Sequence, residues 1–249
     1  MFTLVAHLPI FIATFLLAGL VKGVTGLGLP TVAVGLLSLV MLPAQAASLV
    51  VMPSLVTNIW QMASGPALDP LVRRLWPMLA AVCLGTWAGS GLLTGAGAGA
   101  ASGALGAALT LYAVTGLLPI RLPRVPTNAE WWLGPVAGAA TGLVTAATGV
   151  FVIPAVPYLQ ALGLDRENLV QALGLSFTVS TIALAASLAG SGVFGAQIAG
   201  DSLLALIPAL AGMFAGQWVR RKVSAQVFRR CFFVGLLMLG GHLTLRGLL

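Results

Sequence analysis

Apolar stretches alternate with short polar or glycine-containing breaks along the chain, and this pattern predicts ten helical segments. Eight have about the length of one bilayer crossing, roughly 20 residues. The second and seventh hold about 13 residues and reach only roughly 20 Å of a hydrocarbon core roughly 30 Å thick. The pattern therefore predicts an all-α, polytopic integral membrane protein, with segments at 7–21, 30–42, 44–63, 75–93, 98–118, 131–147, 150–162, 169–188, 202–219 and 231–245.

Composition and charge agree with this fold class. Of the 249 residues, 59% are hydrophobic and 7% are charged, whereas soluble domains carry about 25% charged residues. The net charge of +7 does not indicate nucleic-acid binding, because the arginines lie in short loops between apolar segments. Cys83, Cys231, His7 and His242 match no metal-ligand spacing. We therefore expect no metal, no cofactor and no nucleic-acid partner.

The two halves of the chain follow the same plan. The polar stretch "PIRLPRVPTNAE" at 119–130 separates segment 5 from segment 6, and "QAASLVVMPSLVTN" at 45–58 aligns with "QALGLSFTVSTIAL" at 171–184. We expect a first membrane repeat at 1–120, a linker at 121–130 and a second repeat at 131–249. Each half holds five segments, so the halves insert in opposite orientations, as the inverted repeats of many secondary transporters do.

The basic loops test the number of crossings. They follow segments 3, 5 and 9, so the ten-segment count places them on one side, which is cytoplasmic by the positive-inside rule. If segments 1 and 2, and also 6 and 7, were each one crossing, the loop after segment 9 would lie opposite the other two. The count does not distinguish crossing from re-entrant helices at segments 2 and 7. The basic residues are Arg73, Arg74, Arg121, Arg124, Arg220, Arg221, Lys222, Arg229 and Arg230.

One glycine-containing octet occurs twice, as "GLVKGVTG" at 19–26 and "GLVTAATG" at 142–149, and a proline follows each copy. Glycine weakens a helix by about 1 kcal/mol, and proline suits the first turn of a new helix. Interrupted helices at matching places in two halves are typical of a central binding site. We therefore expect helix breaks in both halves, marked by Gly23, Pro30, Gly142 and Pro154.

The octets also supply candidate substrate ligands. Backbone amides after Gly26 and Gly149 would favour an anion, and Lys22 would be its counter-charge. Two simpler interpretations remain: Lys22 reaches to the membrane surface, and the small residues serve close helix packing. The candidates in and near the octets are Lys22, Thr25, Gly26, Gly28, Thr145, Thr148 and Gly149.

Segments 3 and 8 carry further polar side chains. Asn58 and Gln61 lie on one helix face, and with Ser176 they complete the candidate substrate ligands. Interhelical hydrogen bonding is the alternative role for such groups. The polar residues on segments 3 and 8 together are Gln45, Ser48, Ser54, Thr57, Asn58, Gln61, Gln171, Ser176, Thr178, Ser180 and Thr181.

The octets, their prolines and the following "QAASLVV" resemble the TauE/SafE family of sulfite-exporter-like membrane proteins over essentially the whole chain. The second half departs from that family in "TGVFVIP", which has one glycine where members often have several. The resemblance implies transport of sulfite, thiosulfate or an organosulfonate across a bacterial inner membrane, and from the two helix breaks we expect alternating access, in the direction of export. The matching residues are Gly19, Gly23, Gly26, Gly28, Pro30, Gly142, Gly149 and Pro154.

The residues alone leave several functions open: a transporter, a channel-like anion pathway, a non-transporting scaffold and an intramembrane serine protease. The protease alternative rests on "AGSG" at 88–91 and 189–192, together with His242. The rhomboid-type glycine two positions before the serine is alanine in both copies, so we expect no enzyme. The expected partners are a small anion and the lipid bilayer, and a homodimer stays open.

Overall fold

The structure, a computed structural model, describes residues 8–95, 98–118 and 123–248. Over these residues it is built from helices. His7, Arg121 and the expected boundary between the first repeat and the linker lie outside the described residues. The helices are α1 (Leu8–Thr25), α2 (Leu29–Leu37), α3 (Pro43–Ala63), α4 (Leu68–Ala88), α5 (Ala98–Leu117), α6 (Glu130–Thr148), α7 (Ala155–Ala161), α8 (Arg166–Gly190), α9 (Ala196–Leu204), α10 (Leu206–Val219) and α11 (Ala225–Leu248), with a 3-10 turn at Thr127–Ala129.

Six stretches of helix are long and apolar enough to span a membrane: α1, α3, α8, most of α5, most of α11, and α9 with α10 together. Large apolar side chains such as Trp87, Ile207 and Met238 are exposed on the outside of the bundle. Such a surface suits lipid rather than water as the solvent. The chain is therefore a multi-pass membrane protein.

Helices α2 and α7 are too short to cross a bilayer. They have nine and seven residues, which at 1.5 Å per residue give about 14 Å and about 11 Å. Helix α2 lies beside the first half of α3, since Val34 and Ala47 both lie against Gly149. Neither α2 nor α7 is therefore a complete crossing by itself.

Two helix pairs pack in parallel through glycines. On α10, Gly212 lies against the backbone of Leu16 and Gly216 against that of Leu20. Positions therefore advance together along α1 and α10. Helices α4 and α6 pack in the same way, because Gly138 faces the backbone of Met78 and Gly142 that of Val82. Absent side chains let such backbones approach closely within a membrane.

Helices α3 and α8 pack antiparallel at the centre of the bundle. The Asn58 side chain contacts Thr181, and the Gln61 side chain reaches the carbonyl of Val170. Helices α5 and α11 are also antiparallel, with Gly106 beside Thr244 and Gly116 beside Phe233.

These directions determine the path of the chain. A short turn at 191–195 joins α8 to α9, so α10 runs against α8 and parallel to both α3 and α1. Helices α1 and α3 therefore point the same way, and the chain returns between them through α2. Helices α6 and α8 likewise point the same way, with α7 as the return. These directions agree with the order of the ten predicted segments, and the inverted repeat stays a prediction.

Segment 9 differs from its prediction. It begins at Ala196 rather than at 202, and it is interrupted at Ala205. Pro208 has no backbone N–H to donate to the carbonyl of Leu204, so the helix is weakened at this point.

The three basic loops lie at one end of the bundle. The Arg74 guanidinium donates to both carboxylate oxygens of Glu130, at 2.8 and 2.6 Å, and this joins the start of α4 to the start of α6. Arg229, just after the loop from α10, donates to the carbonyl of Gly116 near the end of α5, at 3.0 Å.

Candidate functional site

Helices α1 and α6 end in the same way. Gly26 follows α1 with a φ of 75°, and Gly149 follows α6 with a φ of 73°, the left-handed conformation typical of the residue after a helix. The amide of Gly26 donates to the carbonyl of Lys22 at 2.7 Å, and that of Gly149 to the carbonyl of Thr145 at 2.8 Å. Each octet thus ends a helix at its last glycine.

Thr25 and Thr148 close the two ends with their hydroxyls. Thr25 Oγ1 accepts from the amide of Leu27, and Thr148 Oγ1 accepts from the amide of Val150, both at 3.1 Å. Each hydroxyl also donates to a carbonyl of its own helix. The first amides after Gly26 and Gly149 are therefore already hydrogen-bonded, and they offer no free donor to an anion in this conformation.

The prolines differ in their positions. Pro30 is the second residue of α2, after Gly28 at its N-cap with a φ of 91°. Pro154 lies at the N-cap of α7 and not within its first turn. The expectation of a first-turn proline is therefore wrong for the second half.

Gly23 and Gly142 do not break helices. Each lies inside its helix, where an added Cβ would overlap the carbonyl oxygen of Met213 or of Val82. Close packing is thus the role of these two glycines, as it is for Gly19, and the prediction of breaks at positions 23 and 142 is wrong. The contact made possible by the missing side chain offsets the low helix propensity of glycine.

The two interruptions approach each other inside the bundle. Pro30 of the first and Gly149 of the second face one small gap between α3 and α8. The gap has no room for a water molecule, so the packing here is closed. The other lining residues are Ala47, Val50, Val51, Ser54, Phe151, Thr181 and Leu184.

Lys22 is buried in the last turn of α1 and does not reach the membrane surface. Lys22 is only 5% exposed, and its Nζ donates to Oδ1 of Asn58, which is 0% exposed. Asn58 Nδ2 donates to Thr181 Oγ1 at 3.4 Å. Thr181 Oγ1 in turn donates to the carbonyl of Phe177 at 2.7 Å. A hydrogen-bonded chain therefore joins α1, α3 and α8.

Thr181 was absent from the ligands selected on the sequence. Asn58 and Thr181 are separated by 123 positions, which is also the spacing of the two octets. That repeat spacing was the signal that could have identified it. Each residue lies about 22 Å along its helix from the N-terminus, and because α3 and α8 are antiparallel, the contact lies at the middle of the pair.

The ammonium of Lys22 has no carboxylate partner among the described residues. The chain has five acidic residues, and all five are described. Asp69 pairs with Arg73 and Glu130 with Arg74. Asp165 caps α8, Glu167 is exposed in its first turn, and Asp201 lies within α9. A buried cation that lacks a counter-charge favours the binding of an anion.

The remaining candidates are distributed around this centre. Gln61 Nε2 donates to the carbonyl of Val170 at 2.9 Å, so it ties α3 to α8 towards the basic end of the bundle. Thr145, at the octet position of Lys22, is buried and donates to the carbonyl of Thr141 at 2.7 Å. Ser176 Oγ is buried without a hydrogen-bond partner among the described residues, as are the hydroxyls of Ser54, Ser180 and Thr31.

The family model described as "Sulfite exporter TauE/SafE" matches residues 11–243, nearly the whole chain. The chain belongs to the TauE/SafE family. Membership in this family implies a membrane transporter of the sulfite-exporter type. Neither the curated proteins nor the solved structures gave a match.

The structure does not bring together the parts of a serine protease in this TauE/SafE protein. Ser90 and Ser191 line a cleft of about 640 Å³ between α4 and α8. His242 lies on α11, which packs chiefly against α5. A serine nucleophile needs its base within hydrogen-bond reach, and these helices occupy different parts of the bundle.

Proposed function

We propose that this TauE/SafE protein exports a small sulfur-containing anion, such as sulfite, thiosulfate or an organosulfonate, across a bacterial inner membrane. The anion binds at Lys22, Asn58 and Thr181. One observation carries the proposal: the Lys22 ammonium is buried at the centre of the bundle, beside an amide and a hydroxyl, with no carboxylate to neutralise it. Sulfur oxyanions supply both the missing charge and the acceptor oxygens.

Transport proceeds by alternating access about the paired interruptions. Two repeats, 1–120 and 131–249, are joined by the linker 121–130, and each contributes one interrupted hairpin. The closed gap between Pro30 and Gly149 suits an occluded state and disfavours a continuously open, channel-like pathway. Opposite helix directions in the two halves would let one arrangement open towards either side.

The orientation follows from the charges. The loops after α3, α5 and α10 lie at one end of the bundle and carry most of the basic residues. We place this end in the cytoplasm. In this orientation the ends of the two interrupted hairpins meet between the two aqueous sides.

Uptake of labelled sulfite, thiosulfate and an organosulfonate into proteoliposomes tests the function. The wild-type protein should show saturable transport of at least one anion. Lys22→Ala should lower its rate at least about thirtyfold, since removing a buried charged donor costs about 2 kcal/mol or more.

The chain supplies a matched control, because its only other lysine is Lys222. That side chain is exposed and lies over the ring of Trp218 at 4.0 Å. Lys222→Ala should transport like the wild type. Equal rates for Lys22→Ala and Lys222→Ala, or no saturable flux of any of the three anions, would remove the proposal and favour a scaffold.

A further inference from the structure

We propose that Asn58 competes with the substrate for Lys22. Its amide oxygen accepts a hydrogen bond from the Lys22 ammonium, and a bound anion takes over that hydrogen bond. This inference rests on the proposed function and assigns Asn58 as the residue that controls access to the charge. It makes Asn58 a positioning and competing group rather than a passive part of the wall.

The direction of the hydrogen bonds is determined by chemistry. Lysine can only donate, so the Asn58 atom facing Lys22 Nζ is the carbonyl oxygen Oδ1. The Asn58 amide nitrogen is then left to donate, and it faces Thr181 Oγ1. The Thr181 hydroxyl donates its hydrogen bond to the carbonyl of Phe177, which can only accept. Each hydrogen bond thus has one direction: Lys22 donates to Asn58, Asn58 donates to Thr181, and Thr181 donates to the carbonyl of Phe177.

The amide is held firmly on one side only. Its donation to Thr181 spans 3.4 Å, beyond the usual range of 2.7–3.2 Å for a strong N–H···O bond. Ser54 on α3 and Ser180 on α8 also carry buried hydroxyls that have no hydrogen-bond partner among the described residues. Turning the amide head therefore gives up one firm hydrogen bond, the one from Lys22, and an anion oxygen that accepts from Lys22 replaces it.

An anion wins this competition because of its charge. The Lys22–Asn58 hydrogen bond already benefits from one ionised partner, but the neutral amide brings no opposite charge, whereas an anion adds direct Coulombic attraction to the ammonium in a site shielded from water. Once an anion oxygen takes Lys22, the Asn58 amide can turn its Nδ2 towards the anion. One residue thereby satisfies the ammonium when the site is empty and becomes a donor when the site is filled.

The same argument explains why an amide suits this position and a carboxylate does not. Aspartate has nearly the same shape, but its charge would neutralise Lys22 permanently and repel an incoming anion. Asn58→Asp should therefore remove at least nine-tenths of the transport activity, although the protein still folds because the buried lysine gains a partner.

The test compares Asn58→Asp with Asn128→Asp in proteoliposomes, using whichever of the three labelled anions the wild type transports. Asn128 is exposed in the 3-10 turn Thr127–Ala129, so this variant makes the same change of charge away from the site. It should transport normally. A second readout is the rise in melting temperature that the anion causes, which should disappear in Asn58→Asp.

The outcomes separate this inference from the proposed function. If the wild type transports, Lys22→Ala fails and Asn58→Asp transports and binds like the wild type, the internal competition is wrong and the function stands. If no protein transports, the proposed function itself has failed. Gel filtration in detergent shows whether Asn58→Asp is folded, and a folded variant that has lost both transport and the anion-induced shift supports the inference.

Discussion

Pro53 lies inside α3, in the turn before Asn58, and Ser202 of α9 repairs the defect it makes. Proline has no N–H, so the carbonyl of Leu49 loses its helical partner. Ser202 Oγ donates to that carbonyl at 2.8 Å and accepts from the amide of Met52 at 3.0 Å. Ser202 is fully buried, and in a membrane these backbone groups have no water to replace it.

At this residue scale, Ser202→Ala should destabilise the protein by about 1–3 kcal/mol, the usual cost of leaving a buried polar group unsatisfied. Thermal unfolding in detergent measures the change. Ser64→Ala is the control, because the Ser64 hydroxyl is exposed and bonds to a carbonyl of its own helix, that of Trp60. A Ser202→Ala variant as stable as Ser64→Ala would show that the Ser202 hydroxyl does not stabilise α3 beside Pro53.

Individual residues show why the sequence predicted only part of the site. Lys22 and Asn58 could be selected as polar groups within apolar segments, but their contact could not be predicted, because it depends on how α1 packs on α3. Gln61 shares a face with Asn58, yet its side chain is long enough to reach the carbonyl of Val170 on α8. Thr25 and Thr148 were found by the repeat, whereas their role in satisfying nearby amides needed the backbone path.

At the scale of helices, close packing through glycines joins the two halves. Helix α1 of the first half pairs with α10 of the second, and α6 of the second pairs with α4 of the first. The octet glycines Gly19, Gly23 and Gly142 lie at these contacts. A glycine-rich stretch therefore carried two signals, one for a helix end and one for a helix contact, and the sequence did not separate them.

Gly142→Ala tests the contact between α4 and α6. The new Cβ would overlap the carbonyl oxygen of Val82, and overpacking of this kind costs about 1–3 kcal/mol. Thermal unfolding should show the loss. Gly235→Ala on α11 is the comparison: nothing lies within 4 Å of its added Cβ, and alanine favours a helix by about 1 kcal/mol. If both variants are equally stable, the helices are not in close contact at Gly142.

An arginine side chain lies at the carbonyl that follows each of the two short helices. The Arg246 guanidinium donates to the carbonyl of Leu39 after α2 at 2.9 Å, and that of Arg74 approaches the carbonyl of Leu162 after α7 at 3.5 Å. These carbonyls are again separated by the octet spacing. Gln45 and Gln171, which the sequence alignment pairs, do not show this spacing. Gln171 bonds to the last turn of α3 and to the loop after it, whereas Gln45 lies near the start of α3. Short sequence similarity thus gave a register that differs from that of the helices by about one turn.

At the scale of the whole molecule, the order and number of segments were predictable because lipid permits few alternatives to helices. The arginine positions added the parity of crossings. The length of α2 and α7 could not be read from hydrophobicity, since the residues at 38–42 after α2 and at 150–154 before α7 are mostly apolar yet lie outside the helices. The approach of the two interruptions required the three-dimensional arrangement of α3 and α8.

Labelling with a membrane-impermeant thiol reagent tests this arrangement. In a background carrying Cys83→Ser and Cys231→Ser, single cysteines at positions 72 and 222 should react from one side of the membrane, and those at 95 and 195 from the other. Val72, Lys222, Gly95 and Gly195 are all exposed. Labelling of positions 72 and 222 from opposite sides would contradict both the directions of the helices and the clustering of basic loops.

The charge of Lys22 has no counterpart in the second half, where Thr145 stands at the same octet position, and this has an energetic consequence. No carboxylate of the described residues lies beside this cation to neutralise it. An anion leaving a cell whose interior is electrically negative releases about 2.3 kcal/mol per charge for each 100 mV of membrane potential. The membrane potential alone can therefore drive the export that we propose.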